Sequence, residues 1–428
     1  MGSHPESPII FDFSKYIDYL FQRSPTGISR IDVEYASALS QRPDLLFAGY
    51  HREFGIPTWF QAKWLTGAVR TIHAEWDRGS SGTLPQRIQR WLCDPAADAS
   101  RMQPDAAVDR ATLQKAMLLA RTWPWQTVWR RFPRGAIYLN TSYAGLENPR
   151  HLAWLSRRLD IRAVFMIHDL LPIDRPELFW DGIEKTFPRK IEQIIHRADL
   201  VIVPSDAVRE RVRAQGQALG RLDIEVVAHP TPPAREFLGA RIQMAECAGP
   251  AYVIACGTIE PRKNHLLLIQ LWRQMVLDGL TPPKLLLVGS RGWKYDTAIK
   301  AMADPVLRGR IVEISGLSTT ELRALVERAA ALLMPSIDEG YGMPLVEALA
   351  VGTPVLASDI PVFREVAQGA ATLLPLDNPP AWRDAVLALA DPGNRATHRA
   401  RAALFPIRGW EAYFDDLFRL LAFLPGKA

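Results

Sequence analysis

Cysteine is scarce in this chain: three among 428 residues, Cys93, Cys247 and Cys256. Their number is odd and their spacing matches no CxxC or zinc pattern. That excludes a disulfide-stapled scaffold and makes a reducing cytosol the expected compartment. Long apolar runs are also missing, since none reaches the ~18 residues of a membrane-spanning helix. Residues 1–8 are polar and lack an apolar core, so they read as a disordered start rather than a secretion signal. Gly2 has no Ser or Thr at position 6, and the myristoylation pattern fails. A strong excess of one charge is absent too. The 51 basic and 46 acidic side chains leave +5, too slight to argue for nucleic acid, for which there is no recognition motif either. No histidine pair has metal-ligand spacing, so neither a metal nor a cofactor is expected. Repeats and low-complexity tracts are lacking.

What is present is a folded globular composition, 48% hydrophobic and 23% charged. The length suits two domains of roughly 200 residues each. Short apolar, β-rich runs alternate with helical spacing. In the first half the strand candidates are 9–13, 44–49, 136–140, 161–169, 200–205 and 224–228. In the second they are 251–259, 284–289, 311–316, 331–336, 354–359 and 371–375. Near-continuous apolar strands between helices predict parallel sheets buried on both faces, a doubly wound α/β architecture. Residues 52–132 break the rhythm and read as a helical insertion with loose parts. The expected division is a first domain over 9–235, a linker over 236–250 and a second domain over 251–405. A helix within 406–428 ends the chain, with an apolar stripe of Trp410, Phe414, Leu417, Leu420, Leu421 and Leu424.

The sharpest motif runs from Pro335 to Glu347, PSIDEGYGMPLVE. It follows a strand and opens a helix. Gly340 and Gly342 allow a tight backbone path, and Pro344 suits the first turn of a helix. The free amides and dipole of such a terminus attract a phosphate. Glu339 falls in the loop and Glu347 about one turn into the helix, so both can face a cleft at the strand ends. Paired carboxylates accept hydrogen bonds from vicinal hydroxyls, which suits a sugar and a ribose. A plain structural turn with a helix-terminal carboxylate is the better account of a glycine loop by itself; the two spaced glutamates in this order of elements reverse that and favour a ligand.

A second strand-to-helix junction, GTIEPRKN from Gly257 to Asn264, sets Arg262 and Lys263 beside the same strand ends. Cations there oppose the helix dipole, which favours an anionic ligand, and a diphosphate leaving group needs them as its charge grows. A solvated basic helix start is the alternative. His168 ends an apolar strand just before Asp169 and would face the same cleft; a structural histidine is the competing reading.

Together these residues resemble the retaining GT-B glycosyltransferases of glycosyltransferase family 4. Glu339-Gly-Tyr-Gly-Met-Pro-Leu-Val-Glu347 is similar to the family's EGFGxPxxE pattern. Arg262, Lys263 and Asn264 match its Arg-Lys-Asn run, and Gly352-Thr-Pro-Val follows suit. In the first half, Thr26-Gly-Ile-Ser-Arg30 looks like the family's glycine loop, and 165–173, FMIHDLLPI, looks like its strand ending in the active-site histidine. That stretch, with Pro176-Glu177, most resembles bacterial mannosyltransferases that build capsule, exopolysaccharide or O-antigen chains.

The resemblance implies two facing Rossmann-like domains, with the acceptor in the first, the donor mainly in the second, and the last helix crossing back to the first. It implies that Glu339 holds donor-sugar hydroxyls with help from backbone amides near Gly340, Tyr341, Gly342 and Met343, with Leu345 also among the substrate-binding residues. Glu347 would hold the ribose, Arg262 and Lys263 the diphosphate, and His168 the reacting sugar. Gly27 and Arg30 would line the phosphate-facing loop. Two departures are Tyr341, where the family usually has Phe, and Thr258, where several members place another phosphate-binding Arg. The expected donor is GDP-mannose, the acceptor a glycan or lipid-linked glycan. A nucleotide-sugar epimerase, a phosphorylase and a non-catalytic scaffold subunit stay open.

Residues 121–134, RTWPWQTVWRRFPR, set Trp123, Trp125, Trp129 and Phe132 among Arg121, Arg130, Arg131 and Arg134. Such a mixture suits peripheral contact with an anionic membrane face. It equally suits a helix with buried tryptophans and solvated arginines.

Overall fold

The computed structural model describes residues 7–424 except 21, 23–24, 43–44, 52–55, 61, 78–83, 95–98, 104–131, 144 and 241–250. Within the described residues the chain builds two seven-stranded sheets. The strands are β1 (Ile9–Asp12), β2 (Leu45–His51), β3 (Ile56–Phe60), β4 (Arg101–Met102), β5 (Ile137–Asn140), β6 (Arg162–Met166), β7 (Leu200–Val203) and β8 (Glu225–Ala228). In the second half they are β9 (Tyr252–Cys256), β10 (Lys284–Val288), β11 (Ile311–Ile314), β12 (Ala331–Met334), β13 (Val355–Ser358) and β14 (Thr372–Leu374). The first sheet runs β3-β2-β1-β5-β6-β7-β8 and the second β14-β13-β12-β9-β10-β11-β4. Every residue of β1, β5, β6 and β7 is buried, as are those of β9, β11, β12 and β13. Strands covered by helices on both faces have no polar side to show, which is why the sequence reads as near-continuous apolar runs.

All twelve strands read from the sequence are present, most one to three residues shorter than expected. The sequence reading missed two. β3 pairs antiparallel with β2 at the sheet edge, where Pro57 costs no ladder bond to a further strand. β4 lies in the stretch expected to be a helical insertion, yet it crosses to the other domain and pairs parallel with β11, Arg101 opposite Glu313 and Met102 opposite Ile314. Helix α2 (Leu84–Cys93) travels with it. Its Leu84, Ile88, Trp91 and Leu92 enter the second domain's core beside Met102. Lys284 donates to the Asp94 carbonyl at 2.8 Å and lies 4.4 Å from the Trp91 ring. Two residues of strand have no readable period, so only the fold reveals this crossing.

In both sheets the order reverses beside the first strand, between β1 and β5 and between β9 and β12. Ligands of doubly wound sheets bind outside the strand carboxyl ends at such a reversal. Helix α1 (Gly27–Leu39) follows β1 and is capped by Thr26, whose hydroxyl and Ser29 satisfy each other's backbone amides. The last helix of the chain, which we number α7 (Trp410–Ala422), sends Trp410, Tyr413, Phe414, Leu417 and Leu421 into the first domain's core. A one-turn helix, Arg235–Leu238, stands where the linker is expected to begin, and 241–250 lie outside the described residues.

Candidate functional site

The carboxyl ends of the two sheets meet at Gly340. A Cβ there would overlap the His168 carbonyl oxygen and come within 2.8 Å of the Asp169 Cβ. Only a residue without a side chain lets the Glu339 loop lie against the end of β6. Beside it the Ser205 hydroxyl donates to the Gly340 carbonyl at 2.9 Å, and Arg211 of α3 (Asp206–Ala218) pairs with Asp338 at 2.9 Å.

Glu339 is the centre of the charge arrangement. Lys263 donates to its Oε1 at 2.5 Å, Arg262 pairs with its Oε2, and the Ser336 hydroxyl donates to Oε1 at 2.9 Å. Burial raises this carboxyl, but Arg262 and Lys263 more than reverse that and hold it at about 2. Arg262 is shared with Glu260 at 2.7 Å, which orients the guanidinium from behind. Both cations sit in a 3-10 turn, Pro261–Lys263, between β9 and helix α4 (His265–Leu277). Asn264 adopts φ 53 to make the turn, a conformation Asn tolerates better than most residues.

His168 lies across from this group. Its Nε2 is 2.7 Å from the Thr141 carbonyl, its amide donates to the Tyr143 hydroxyl oxygen at 2.5 Å, and its ring meets Tyr143 edge-on at 5.5 Å. Because a carbonyl only accepts, Nε2 carries the proton and Nδ1 is the acceptor. Burial pushes the imidazole down to about 4, against the opposing pull of the Thr141 carbonyl, so the ring is neutral at neutral pH.

Glu347 stands on helix α6 (Met343–Ala350), whose N-cap Gly342 has φ 102. Arg30 of α1 reaches across the cleft to Glu347 Oε1 at 2.5 Å and to the Thr319 hydroxyl at 3.4 Å. Thr319 opens helix α5 (Thr319–Arg328). Gly27 faces the same helix start, where a Cβ would sit 3.7 Å from Met343 Cγ. The structure therefore gathers His168, Arg262, Lys263, Glu339, Gly340, Gly27, Arg30, Met343 and Glu347 along one cleft. It directs two side chains elsewhere. Leu345 is fully buried in the second domain's core, and the Tyr341 hydroxyl donates to the Thr231 carbonyl at 2.9 Å. Gly342 lies against Phe363, whose Cε1 a Cβ would approach to 2.6 Å.

Sequence reading missed a polar layer beneath His168. Asp32 of α1 is fully buried, accepts from the Tyr19 hydroxyl at 2.5 Å and from the Thr141 hydroxyl, and is raised by burial to about 7. Asp12, at the end of β1, accepts from Tyr138 at 2.5 Å and lies 3.1 Å from His151. Buried carboxylates on a helix face and a strand end carry no local motif, so only the fold brings them together. The Trp/Arg segment 121–134 lies outside the described residues as far as Arg131. Of the rest, Phe132 stacks on Trp154 at 4.2 Å. Within the described residues no helix is long and apolar enough to cross a membrane.

The comparisons with known proteins bear on the fold and the family. A family model described as Glycosyltransferase Family 4 matches residues 114–235, and one described as Glycosyl transferases group 1 matches 241–402. The serotype-specific mannosyltransferase WbdA of Escherichia coli is 32% identical over 225 residues, covering 48% of this chain and 27% of that protein. The O-antigen chain mannosyltransferase RfbU of Salmonella typhimurium is 30% identical over 222 residues, covering 51% of this chain and 58% of that protein. The chain thus spans between about a quarter and three-fifths of the length of these relatives. A sucrose-phosphate synthase from Thermosynechococcus elongatus shares the fold, with a TM-score of 0.58 at 16% identity over 97% of this chain and 99% of that one. Anabaena Alr3699/HepE, solved with UDP and glucose, gives 0.56 at 13% over 98% and 100%. With the two family models matching consecutive stretches on either side of the junction between the sheets, the chain belongs to the GT-B glycosyltransferases, a family 4 domain followed by a group 1 domain.

Proposed function

We propose that this protein is a retaining glycosyltransferase that moves mannose from GDP-mannose to a hydroxyl of a growing or lipid-linked bacterial surface polysaccharide. One observation carries the proposal: Glu339 held by Arg262 and Lys263 at the ends of β9 and β12, opposite His168 at the end of β6. A sugar diphosphate laid along this line brings its phosphates to the two cations and its hydroxyls to Glu339. Its ribose reaches Glu347. The neutral His168 ring offers Nδ1 to a sugar hydroxyl without adding charge.

Charge on the leaving diphosphate grows as the glycosidic bond breaks, and Arg262, Lys263 and helix-terminal amides meet it in place of a divalent cation. The acceptor hydroxyl attacks the anomeric carbon on the face the phosphate leaves, and a phosphate oxygen takes its proton. The relatives' names support mannose as the sugar and O-antigen as the product; capsule and exopolysaccharide are the other surface polysaccharides the reading covers. A lipid-linked acceptor places the enzyme at the inner face of the plasma membrane, with 121–134 as the contacting segment.

The test is a set of labelled nucleotide sugars with and without a mannoside acceptor. Transfer from GDP-mannose with an α-linked product is expected. Release of an altered free sugar without an acceptor would make the protein an epimerase instead. Failure to bind any nucleotide sugar in a thermal-shift screen would leave a non-catalytic subunit.

A further inference from the structure

The site described so far accounts for the donor. What guides a glycan acceptor is a separate question, and an aromatic cluster at the cleft mouth bears on it. Phe179 and Trp180 follow the active-site strand β6 by a dozen residues. Trp293 follows β10 on the other domain. The Phe179 and Trp293 rings stack at 5.7 Å, and Trp180 meets Trp293 edge-on at 4.9 Å. Trp293 Nε1 donates to the Leu178 carbonyl at 2.8 Å, which fixes the indole across the domain junction.

Phe179 is buried, but Trp180 is 46% exposed. The exposed part of the Trp180 indole, held by Trp293, offers a fixed aromatic surface on which a ligand ring can stack. Its rim is polar and charged: Lys294 pairs with Asp181 at 3.1 Å, and Glu177 pairs with Arg175 at 2.7 Å.

Position selects the occupant. The loop bearing Trp293 rests on the Gly257–Glu260 turn that leads to Arg262, where the donor's diphosphate is expected. A Cβ on Gly289 would overlap the Gly257 carbonyl, and one on Gly292 would lie 2.6 Å from Thr258 Cγ2 and 3.5 Å from Glu260 Oε2. Glu260 is the residue that orients Arg262. The opposite end of the donor line is occupied by the Arg30–Glu347 pair, where a ribose is expected. Trp180, tied to this loop through Trp293, therefore lies toward the diphosphate and sugar side of the site rather than the ribose side. A pyranose has one face of axial C–H groups and a rim of hydroxyls. That shape matches an indole face edged by carboxylates and an ammonium.

We propose that Trp180, backed by Trp293, is a stacking platform for a sugar residue of the acceptor glycan upstream of the one that receives the new unit. The proposal rests on the glycosyltransferase reading above. Trp180 is a positioning residue and touches neither the donor nor the reacting atoms.

The experiment compares wild type, Trp180→Ala and Trp180→Phe on α-linked mannose oligosaccharides of one to four residues. Wild type is expected to show an acceptor KM that falls with length. In Trp180→Ala the KM for the longest acceptor rises about tenfold and the length dependence flattens. Trp180→Phe stays near wild type, and the donor KM and melting temperature hold in all three. An unchanged acceptor KM in Trp180→Ala overturns the platform. So does a rise in donor KM together with a lower melting temperature, which would make Trp180 a latch between domains only. If wild type transfers no sugar from any donor, the functional reading has failed. Saturation-transfer NMR with mannotetraose then decides the platform by itself: signal in wild type that is lost in Trp180→Ala sustains it, and no signal in wild type overturns it.

Discussion

Lys263 and Arg262 divide one task, and their geometry makes the division testable. Arg262 is shared between Glu339 and Glu260, whereas among the described residues Lys263 pairs with Glu339. Lys263→Ala leaves Glu339 neutralised by Arg262 but removes the mobile point charge that can follow a departing phosphate. The expected cost is ~2–4 kcal/mol in the transfer barrier, as for a lost oxyanion donor, read as a drop in kcat with a smaller change in donor KM. Unchanged turnover would count strongly against the site. His168 gives a second residue-scale prediction. Its pKa in the fold is about 4, against 6.5 in an unfolded chain. Between those values the unfolded chain binds a proton that the folded one refuses. The stability contributed by the neutral ring is therefore complete above pH 6.5 and falls as pH drops toward 4. Imidazole nitrogen NMR should find a neutral ring, protonated on Nε2, from pH 8 to 5; titration near 6.5 would contradict the buried Thr141 contact. Most of the site was legible because its chemistry is local: Glu339, Glu347, Arg262 and Lys263 sit in short motifs at strand-to-helix junctions. Asp32 and Asp12 were not, since what makes them notable is burial among polar partners distant in sequence, which no neighbouring residue announces. Tyr341 and Leu345 belong to a legible motif, yet their side chains serve packing.

Elements were legible where they are buried on both faces and hidden where they cross between domains. β9 and β12 could be read because a covered parallel strand must be apolar along its length. β4 could not, because two residues acquire meaning only from the edge of β11, where Glu313 is fully buried and bonded by Arg291 at 2.7 Å and Arg101 at 3.1 Å. The junction of elements that matters most is the Glu339 loop against the end of β6, and one glycine controls it. Gly340→Ala leaves both sheets intact, but its methyl meets the His168 carbonyl and the Asp169 Cβ, and these are backbone and a stiff side chain that have no room to move. The two loops must part by about an ångström. A displacement of that size costs about 100-fold in turnover when reacting groups are held in register. Circular dichroism and the melting temperature should stay near wild type while kcat falls. Normal turnover in Gly340→Ala would show that the two loops do not touch during transfer.

At the scale of the whole molecule the chain crosses between domains more often than a simple two-domain linker requires. It leaves the first domain at α2 and β4 to complete the second domain's sheet, returns to build β5 to β8, passes on to β9, and comes back with α7. Helix α7 is held by polar anchors as well as apolar ones. Trp410 Nε1 donates to the Pro233 carbonyl at 3.0 Å, the Tyr413 and Tyr35 hydroxyls are 2.7 Å apart, and Arg162 bonds the Leu424 carbonyl at 2.5 Å. The first domain is therefore incomplete until the last residues of the chain arrive, although the second domain's own core clusters contain none of them. Trp410→Ala should leave a cavity and an unpaired Pro233 carbonyl in the first domain, at a cost of about 3–5 kcal/mol for a fully buried indole. Because that loss falls on one core only, urea unfolding should separate into two steps, the earlier one reporting the first domain. Nucleotide added to the mutant should raise the later step alone, by the amount its affinity for the second domain allows. A single transition that shifts as one would mean that the crossings at β4 and α7 tie the two cores into one cooperative unit, and would overturn the prediction.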